Sequence, residues 1–344
     1  MSHSLTDRER KVLEAVIEQY IETAEPAGSR TIAKRFPLGV SAATIRNTMS
    51  DLEDRGYLYH PHTSAGRIPT DQAYREYVNS VIREPALTPD QQQTLRRQLG
   101  GETGVIEGIL QKAAQVLGVL TQELGVAVGP SLDNTVLERL ELMRVSSDRL
   151  LIVLVLESGI ARTIFVEVSS QLPGEAVMVV GQVLNERLSG LTLREVRSTI
   201  RERVRDTAAE ATASELLNIF IEEAEHLFDV SSDSENAIVL GSAQLLAEQP
   251  EFSSNEQMRA LLALTERRDV LRRALQSRRN PGVTVTIGGE HPDPQLNAFT
   301  IVTSSYQRGS VAGVIGVMGP TRMPYQKVIA LVEHTSRLVE DLES

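Results

Sequence analysis

The chain has 344 residues, enough for two or three domains with cores of their own, and a formal net charge of −11. It contains no cysteine, which excludes disulfides and thiolate metal sites. No apolar stretch of signal-peptide type precedes Leu5, and no apolar run approaches the roughly 20 residues that span a bilayer, so a cytoplasmic protein with no membrane partner is expected.

Leu13, Val16, Ile17, Tyr20 and Ile21 recur at the three- and four-residue spacing of one buried helical face. Ser29 is the expected N-cap of a short helix through Ile32 and Ala33 to Phe36, which Pro37 and Gly39 stop. Ser41 caps a second helix over 42–55, whose Ile45, Met49 and Leu52 face inward. Ala42, Thr44, Arg46, Asn47 and Ser50 then face outward. The small residues allow close approach to a base edge, and Arg and Asn carry the forked donors and acceptors that match guanine and adenine in the major groove. After Gly56, residues 57–59, a tip over 60–66 and a return at 67–68 read as a small hairpin. Two helices, a tight turn and a wing form a layout with which proteins enter DNA, and binding to a double-stranded DNA operator is the leading expectation.

Local charge supports it. From 26 to 69, Arg30, Lys34, Arg35, Arg46, Arg55 and Arg67 face Asp51, Glu53 and Asp54, a net charge of +3. Residues 1–83 hold 11 basic and 11 acidic side chains, which leaves the whole −11 to the rest. A single-signed body suppresses contact by the wrong face. Phosphate contacts dominate affinity and base contacts supply specificity. Arg30, Lys34, Arg35, His62 and Arg67 are accordingly assigned to phosphate or the wing, and Ser41, Thr44, Arg46 and Asn47 to base edges. Tri-helical heads also serve as protein-binding modules, and an absence of salt-sensitive DNA binding would support that alternative.

A helix holding Tyr74, Tyr77, Val78 and Val81 closes the head, and the prolines of 84–90 mark a linker. Beyond Gly100 and Gly101, a helix over about 105–124 places Ile106, Leu110, Ala113, Leu117 and Leu120 at four- and three-residue spacing, the pattern of a core helix or of a dimer seam. Strands follow at 136–142, 150–156 and 160–168, then a helix over 175–188. Further strands at 283–287, 299–303 and 311–318 precede a last helix through Val328, Leu331, Val332, Thr335 and Leu338.

Strands at both ends with a helical middle predict an α+β domain over 84–188 and 256–344, interrupted by a mostly helical insertion at 189–255. In that insertion Leu216, Leu217, Phe220, Leu227 and Phe228 either fill a small core or cover a partner subunit. A unit of about 65 residues buries little surface alone, which favours a shared dimer interface.

Other signals point nowhere catalytic. The pairs Arg267–Arg268, Arg272–Arg273 and Arg278–Arg279 spread around a helix at about 100° per residue instead of forming a stripe. His60 and His62 flank a proline with no further His nearby in sequence and no Cys in the chain, so DNA contact or plain exposure is expected of them in place of a metal. Gly313, Gly316 and Gly319 lack the Lys of a phosphate-binding loop and read as close backbone packing. There is no nucleophile elbow and no His-Glu-x-x-His pair, so neither an enzyme, a cofactor nor a metal site is expected.

Three stretches carry a family resemblance. The first runs Ser41-Ala42-Ala43-Thr44-Ile45-Arg46-Asn47-Thr48-Met49-Ser50-Asp51-Leu52-Glu53, then Gly56-Tyr57-Leu58 and Thr63-Ser64-Ala65-Gly66-Arg67-Ile68-Pro69-Thr70. The others are Ile287-Gly288-Gly289-Glu290 and Gly313-Val314-Ile315-Gly316-Val317-Met318-Gly319-Pro320-Thr321-Arg322-Met323-Pro324-Tyr325. Together they resemble HrcA, the bacterial heat-inducible transcription repressor family, over essentially the whole chain. The resemblance implies a winged helix-turn-helix over 1–83, a GAF-like domain and an inserted dimerisation domain. It also implies a homodimer on the inverted-repeat CIRCE operator of chaperone genes, with the GroE chaperonin as a modulating partner. The alternative is a regulator whose GAF-like domain senses a small molecule in a pocket near Phe299 and Tyr306.

Overall fold

The computed structural model describes residues 4–61, 66–81, 87–99, 106–129, 132–157, 159–168, 173–205, 211–228, 238–276, 282–308 and 311–341. Residues 62–65 of the hairpin tip, His62 among them, 84–86 of the expected linker, Gly100, Gly101 and the Arg278–Arg279 pair lie outside them. The chain divides into two compact units, one formed by 1–128, 238–306 and 314–344, the other by 129–237 and 307–313.

The first unit begins with α1 (Asp7–Thr23), α2 (Ser29–Arg35) and α3 (Ala42–Asp54). Thr6 and Glu9 close a capping box on α1, satisfying two amide donors that a helix start leaves unpaired. Gly28, not Ser29, caps α2, without a side-chain bond. Ser41 caps α3 as expected, its hydroxyl accepting from Thr44 N–H. A two-stranded hairpin, β1 (Leu58–Tyr59) with β2 (Ile68–Pro69), leads to α4 (Asp71–Val81). Val16, Ile17, Ile32, Ile45, Met49, Leu52 and Val78 are fully buried and form the core of this head. Apolar spacing at i, i+3 and i+4 on each short helix makes the burial mutual.

Next come α5 (Pro89–Leu99), α6 (Ile106–Thr121) and β3 (Leu124–Val128). Ile106, Leu110, Ala113 and Leu117 are buried within the chain, which makes α6 a core helix. Gly125 lies so close under α6 that a Cβ there would stand 1.8 Å from the Ala114 carbonyl oxygen.

The second unit holds β4 (Leu137–Arg144), β5 (Arg149–Leu156) and β6 (Ala161–Glu167), an antiparallel meander in that order. Its helices are α7 (Gly174–Leu188), α8 (Leu193–Val204), α9 (Ala211–Glu222) and α10 (Ala224–Leu227). Alternation on β5 turns Leu150, Ile152, Leu154 and Leu156 to one face, and that face is buried with Val177, Val180 and Leu184 of α7. Asn185 fastens α7 to the edge strand, accepting from Leu140 N–H at 2.8 Å and donating to its carbonyl at 2.5 Å. The expected grouping of these strands with the C-terminal ones therefore differs from the structure, in which the meander is a separate sheet and the inserted unit runs from 129 to 237. Residue pattern identifies strands, but only pairing assigns them to a sheet.

That larger unit also changes the reading of its apolar helix. Leu216, Leu217, Phe220, Leu227 and Phe228 are between 0 and 6 % exposed in the single chain, so they are core and leave no surface for a partner. The expectation of a shared interface rested on too small an insertion.

The chain returns to the first unit with β7 (Ile238–Leu240), α11 (Ala243–Ala247), α12 (Asn255–Glu266), α13 (Arg268–Gln276), β8 (Val283–Ile287), β9 (Phe299–Arg308) up to 306, β10 (Val311–Pro320) from 314, and α14 (Tyr325–Asp341). The sheet order is β7-β3-β10-β9-β8. Leu246, Leu261, Leu264, Val270, Leu271 and Leu275 cover one face over Leu124, Val126 and Met318, while α6 and α14 pack together on the other. Gly316 and Gly319 serve close packing as expected: a Cβ would stand 2.1 Å from Val302 O at the first and 2.2 Å from Glu123 Oε2 at the second. Arg267, Arg268 and Arg273 are exposed while Val270, Leu271 and Leu275 turn inward, so the arginines do not line one stripe.

Candidate nucleic-acid interface

On α3, Ile45, Met49 and Leu52 are wholly buried, and Thr48 turns its hydroxyl inward to the Thr44 carbonyl at 3.1 Å. Arg46, Asn47 and Ser50 are exposed on the opposite face. Ser41 Oγ accepts from Thr44 N–H at 3.2 Å and lies 3.0 Å from Thr44 Oγ1, so these two base-edge candidates are joined as a cap at the head of the helix. The first turn of α3 carries no acidic residue. Apart from the Thr44 N–H that Ser41 caps, the amides and positive dipole end of that turn face no carboxylate within it, which suits an anionic backbone.

The six basic residues of 26–69 divide into two groups. Arg35 donates to Gln19 Oε1 at 3.0 Å, is ion-paired with Glu22 and lies 5.6 Å over the Phe36 ring. Arg55 pairs with Glu9 at 2.9 Å and stacks over Tyr57 at 5.6 Å. Arg67 holds Glu53 through Nε at 3.1 Å and Nη2 at 3.0 Å. These three are occupied within the chain. Arg30, Lys34 and Arg46 are exposed and make no ion pair among the described residues. Of the phosphate candidates, the structure thus brings Arg30 and Lys34 to the surface as open cations, whereas Arg35 and Arg67 are braces.

Glu53 is the hub of the hairpin. It binds His60 Nδ1 with one oxygen and Arg67 with the other. Burial works against its charge, but His60 and Arg67 outweigh that and hold its pKa below the usual carboxylate value. The base of the hairpin is fixed again by Ala27 and Arg67, whose amides and carbonyls exchange bonds of 2.9 and 3.0 Å. Gly66 is required there, because a Cβ would meet Pro26 and Ala27 backbone atoms at 2.5 Å. Tyr59 stands 46 % exposed on β1, an aromatic surface residue that alternation along so short a strand could not single out.

Residues 107–329 match the family model described as HrcA protein C terminal domain. The chain is 39 % identical over 345 residues to the heat-inducible transcription repressor HrcA of Chlorobium phaeobacteroides (strain BS1), covering 97 % of each chain. It is 35 % identical over 342 residues to that of Pelotomaculum thermopropionicum, covering 98 % and 97 %. A solved structure of a protein described only as hypothetical superposes with a TM-score of 0.62 at 24 % identity over 98 % of both chains, a likeness of fold. Among the described residues no helix is long and apolar enough to cross a membrane. With a family model over well more than half its length and full-length relatives of one description, the chain belongs to the heat-inducible transcription repressor family HrcA, a family of regulators and not of enzymes.

Proposed function

We propose that the head is a winged helix-turn-helix that reads DNA with α3. The chain then represses heat-shock chaperone operons in the cytoplasm as a homodimer on an inverted-repeat CIRCE operator, with the GroE chaperonin modulating its activity. The observation that carries this reading is the split among the cations. Arg46 and Asn47 stand open on one face of α3 with Arg30 and Lys34 open on α2, while the remaining basic residues brace the scaffold. In this reading the five-stranded sheet is the GAF-like domain and the unit over 129–237 the dimerisation insertion.

A two-fold dimer presents two heads to two half-sites of opposite orientation. The surface that suits self-association is the outer face of the meander. Register puts Met143, Leu151 and Phe165 in one row across β4, β5 and β6, and Met143 and Phe165 are 48 and 57 % exposed beside Val145 at 56 %. Apolar residues at such exposure in one contiguous row mark interaction surfaces.

Fluorescence anisotropy on CIRCE duplex against a scrambled duplex of equal length, with and without chaperonin and ATP, tests the whole. Specific binding raised by chaperonin is the expected result. Specific binding indifferent to chaperonin would remove the feedback, and no preference between duplexes in folded protein would remove DNA reading.

One observation favours a ligand-responsive variant of this function. A cavity of about 750 Å³ is bounded by Val270, Arg273, Thr286, Glu290, His291 and Leu296, not by Phe299 and Tyr306, which lie in the core. A ligand bound there raises the melting temperature, and the rise continues with the logarithm of its concentration once that exceeds the dissociation constant.

A further inference from the structure

Two motifs have no part in reading DNA, yet both meet the head. From α4, Arg75 donates through Nε to Glu290 Oε1 at 2.7 Å and through Nη2 to the Val285 carbonyl at 2.7 Å, and it forms a second bond to Glu290 Oε2. One turn earlier, Asp71 Oδ2 accepts from Gly289 N–H at 2.9 Å. Gly288, at φ +49°, leaves the room for it: a Cβ there would stand 2.1 Å from that carboxylate oxygen.

The opposite tie runs from the body to the head. Arg322, after β10, donates through Nη1 to the Ile21 carbonyl at 2.6 Å, in the last turn of α1 where carbonyls lack helical partners. Its other nitrogens are held by Glu251, at 2.9 Å from Nη2, and by Gln249 at 3.1 Å. Between the two arginines lie aromatic rings, with Tyr325 of the body 5.6 Å from Tyr74 and 6.5 Å from Tyr77 of α4. Tyr325 is fully buried and donates to the Thr321 carbonyl at 2.6 Å.

We infer that the motifs 287–290 and 319–325 form a two-arginine clamp that fixes the head on the sheet body and so sets the orientation in which α3 is presented. Arg75, Asp71 and Arg322 are positioning residues: none lies on the α3 face, and each bonds across the junction. The inference rests on the DNA-reading proposal for its purpose, though not for its geometry. A dimer gains from its second half-site only when both heads are held at the right separation, and linked sites lose that gain when geometry no longer permits both to engage. An open clamp leaves each head able to read one half-site and removes the advantage of two.

Arg75→Met keeps the apolar stem of the side chain and removes its donors. Gly288→Ala acts from the body, displacing the Asp71 carboxylate. Affinity of each variant is measured on duplexes carrying one half-site, two half-sites, and two half-sites at altered spacing. Both variants should lose about ten- to a hundredfold on the two-site duplex, keep wild-type affinity for the single site, and bind altered spacings as well as the native one. Wild-type affinity and spacing preference in both variants would overturn the inference. So would an equal loss on the single half-site, which would make the residues part of the head's own fold.

A second measurement needs no DNA. Because the chain has no cysteine, Lys11→Cys with Asn297→Cys gives one spin-label pair per chain on exposed positions of head and body, and mixing with an excess of unlabelled chain keeps distances between subunits out of the measurement. Its distance distribution should be narrow and should broaden with Arg75→Met, and an unchanged distribution sinks the clamp. If wild-type protein prefers neither duplex, the DNA reading fails and the spin labels alone decide the clamp.

Discussion

Arg67 grips Glu53, with Nε and Nη2 standing 3.1 and 3.0 Å from Oε2, so the return strand of the hairpin is fastened to the last turn of α3. A cation that the sequence assigns to phosphate is spent on holding the hairpin against α3. Arg67→Ala should therefore lower the stability of the head by about 1–2 kcal/mol and leave the salt slope of DNA binding unchanged. Lys34→Ala should do the reverse, weakening all duplexes alike and flattening the slope by about 1 at unaltered melting temperature. Thermal melts and a salt titration of each variant separate the two, and a flattened slope in the Arg67 variant would return that residue to the phosphate contacts.

Arg46 and Asn47 stand on the face of α3 opposite its buried Ile45, Met49 and Leu52. Replacing either by Ala should cost about 1–3 kcal/mol on operator DNA and relax discrimination at one base position, with little effect on scrambled duplex. A panel of single-base operator variants checks it. Operator affinity untouched by Arg46→Ala would show that α3 is not the reading helix.

Burial distinguishes an interface from a core in the inserted unit. Phe165→Asp, on the outer sheet face, should convert the proposed dimer to monomer in sedimentation and lower the melting temperature only by what association contributed. Phe220→Ala, in its core, should cost about 3–5 kcal/mol of stability and change the association state only through unfolding. A dimer that survives Phe165→Asp would move the interface elsewhere.

Glu123 is 2 % exposed between α6 and β3, its Oε2 has no hydrogen-bond partner among the described residues, and burial pushes its pKa well above 4.5 despite the opposing field of Arg322. A carboxyl with a raised folded pKa contributes its stability below the unfolded value and loses it as pH rises towards the folded one. Glu123→Gln, which cannot ionise, should therefore raise the melting temperature at pH 8 and little at pH 4.5. Each unit of elevation in the wild-type pKa corresponds to about 1.4 kcal/mol of that gain. A gain independent of pH would mean that ionisation of Glu123 plays no part.

The elements of the head were legible because their causes are local. Ser41 followed by Ile45, Met49 and Leu52 specifies both where α3 starts and which face it buries. β3 was not legible: its Leu124–Val128 run is buried on both faces, so it shows no alternation and reads as an extension of the apolar helix before it. β7, with three residues, is too short to show a period.

By itself, the sequence determined the helices and hairpin of the head, the outward α3 face and the family resemblance, because caps, periodicity and motif order act over a few residues. Tertiary structure alone decided which cations are open. Arg35, Arg55 and Arg67 meet acids 13, 46 and 14 residues away, and such pairings exist only once helices are packed. It also decided that the meander is a separate sheet and that Gly288–Gly289–Glu290 and Arg322–Tyr325 lie against the head more than 200 residues earlier in the chain. The assignment of strands to sheets and the docking of the head are long-range choices, made by which buried surfaces and charges complement one another, and no short window of sequence contains both partners of β3 and β10 or of Asp71 and Gly289.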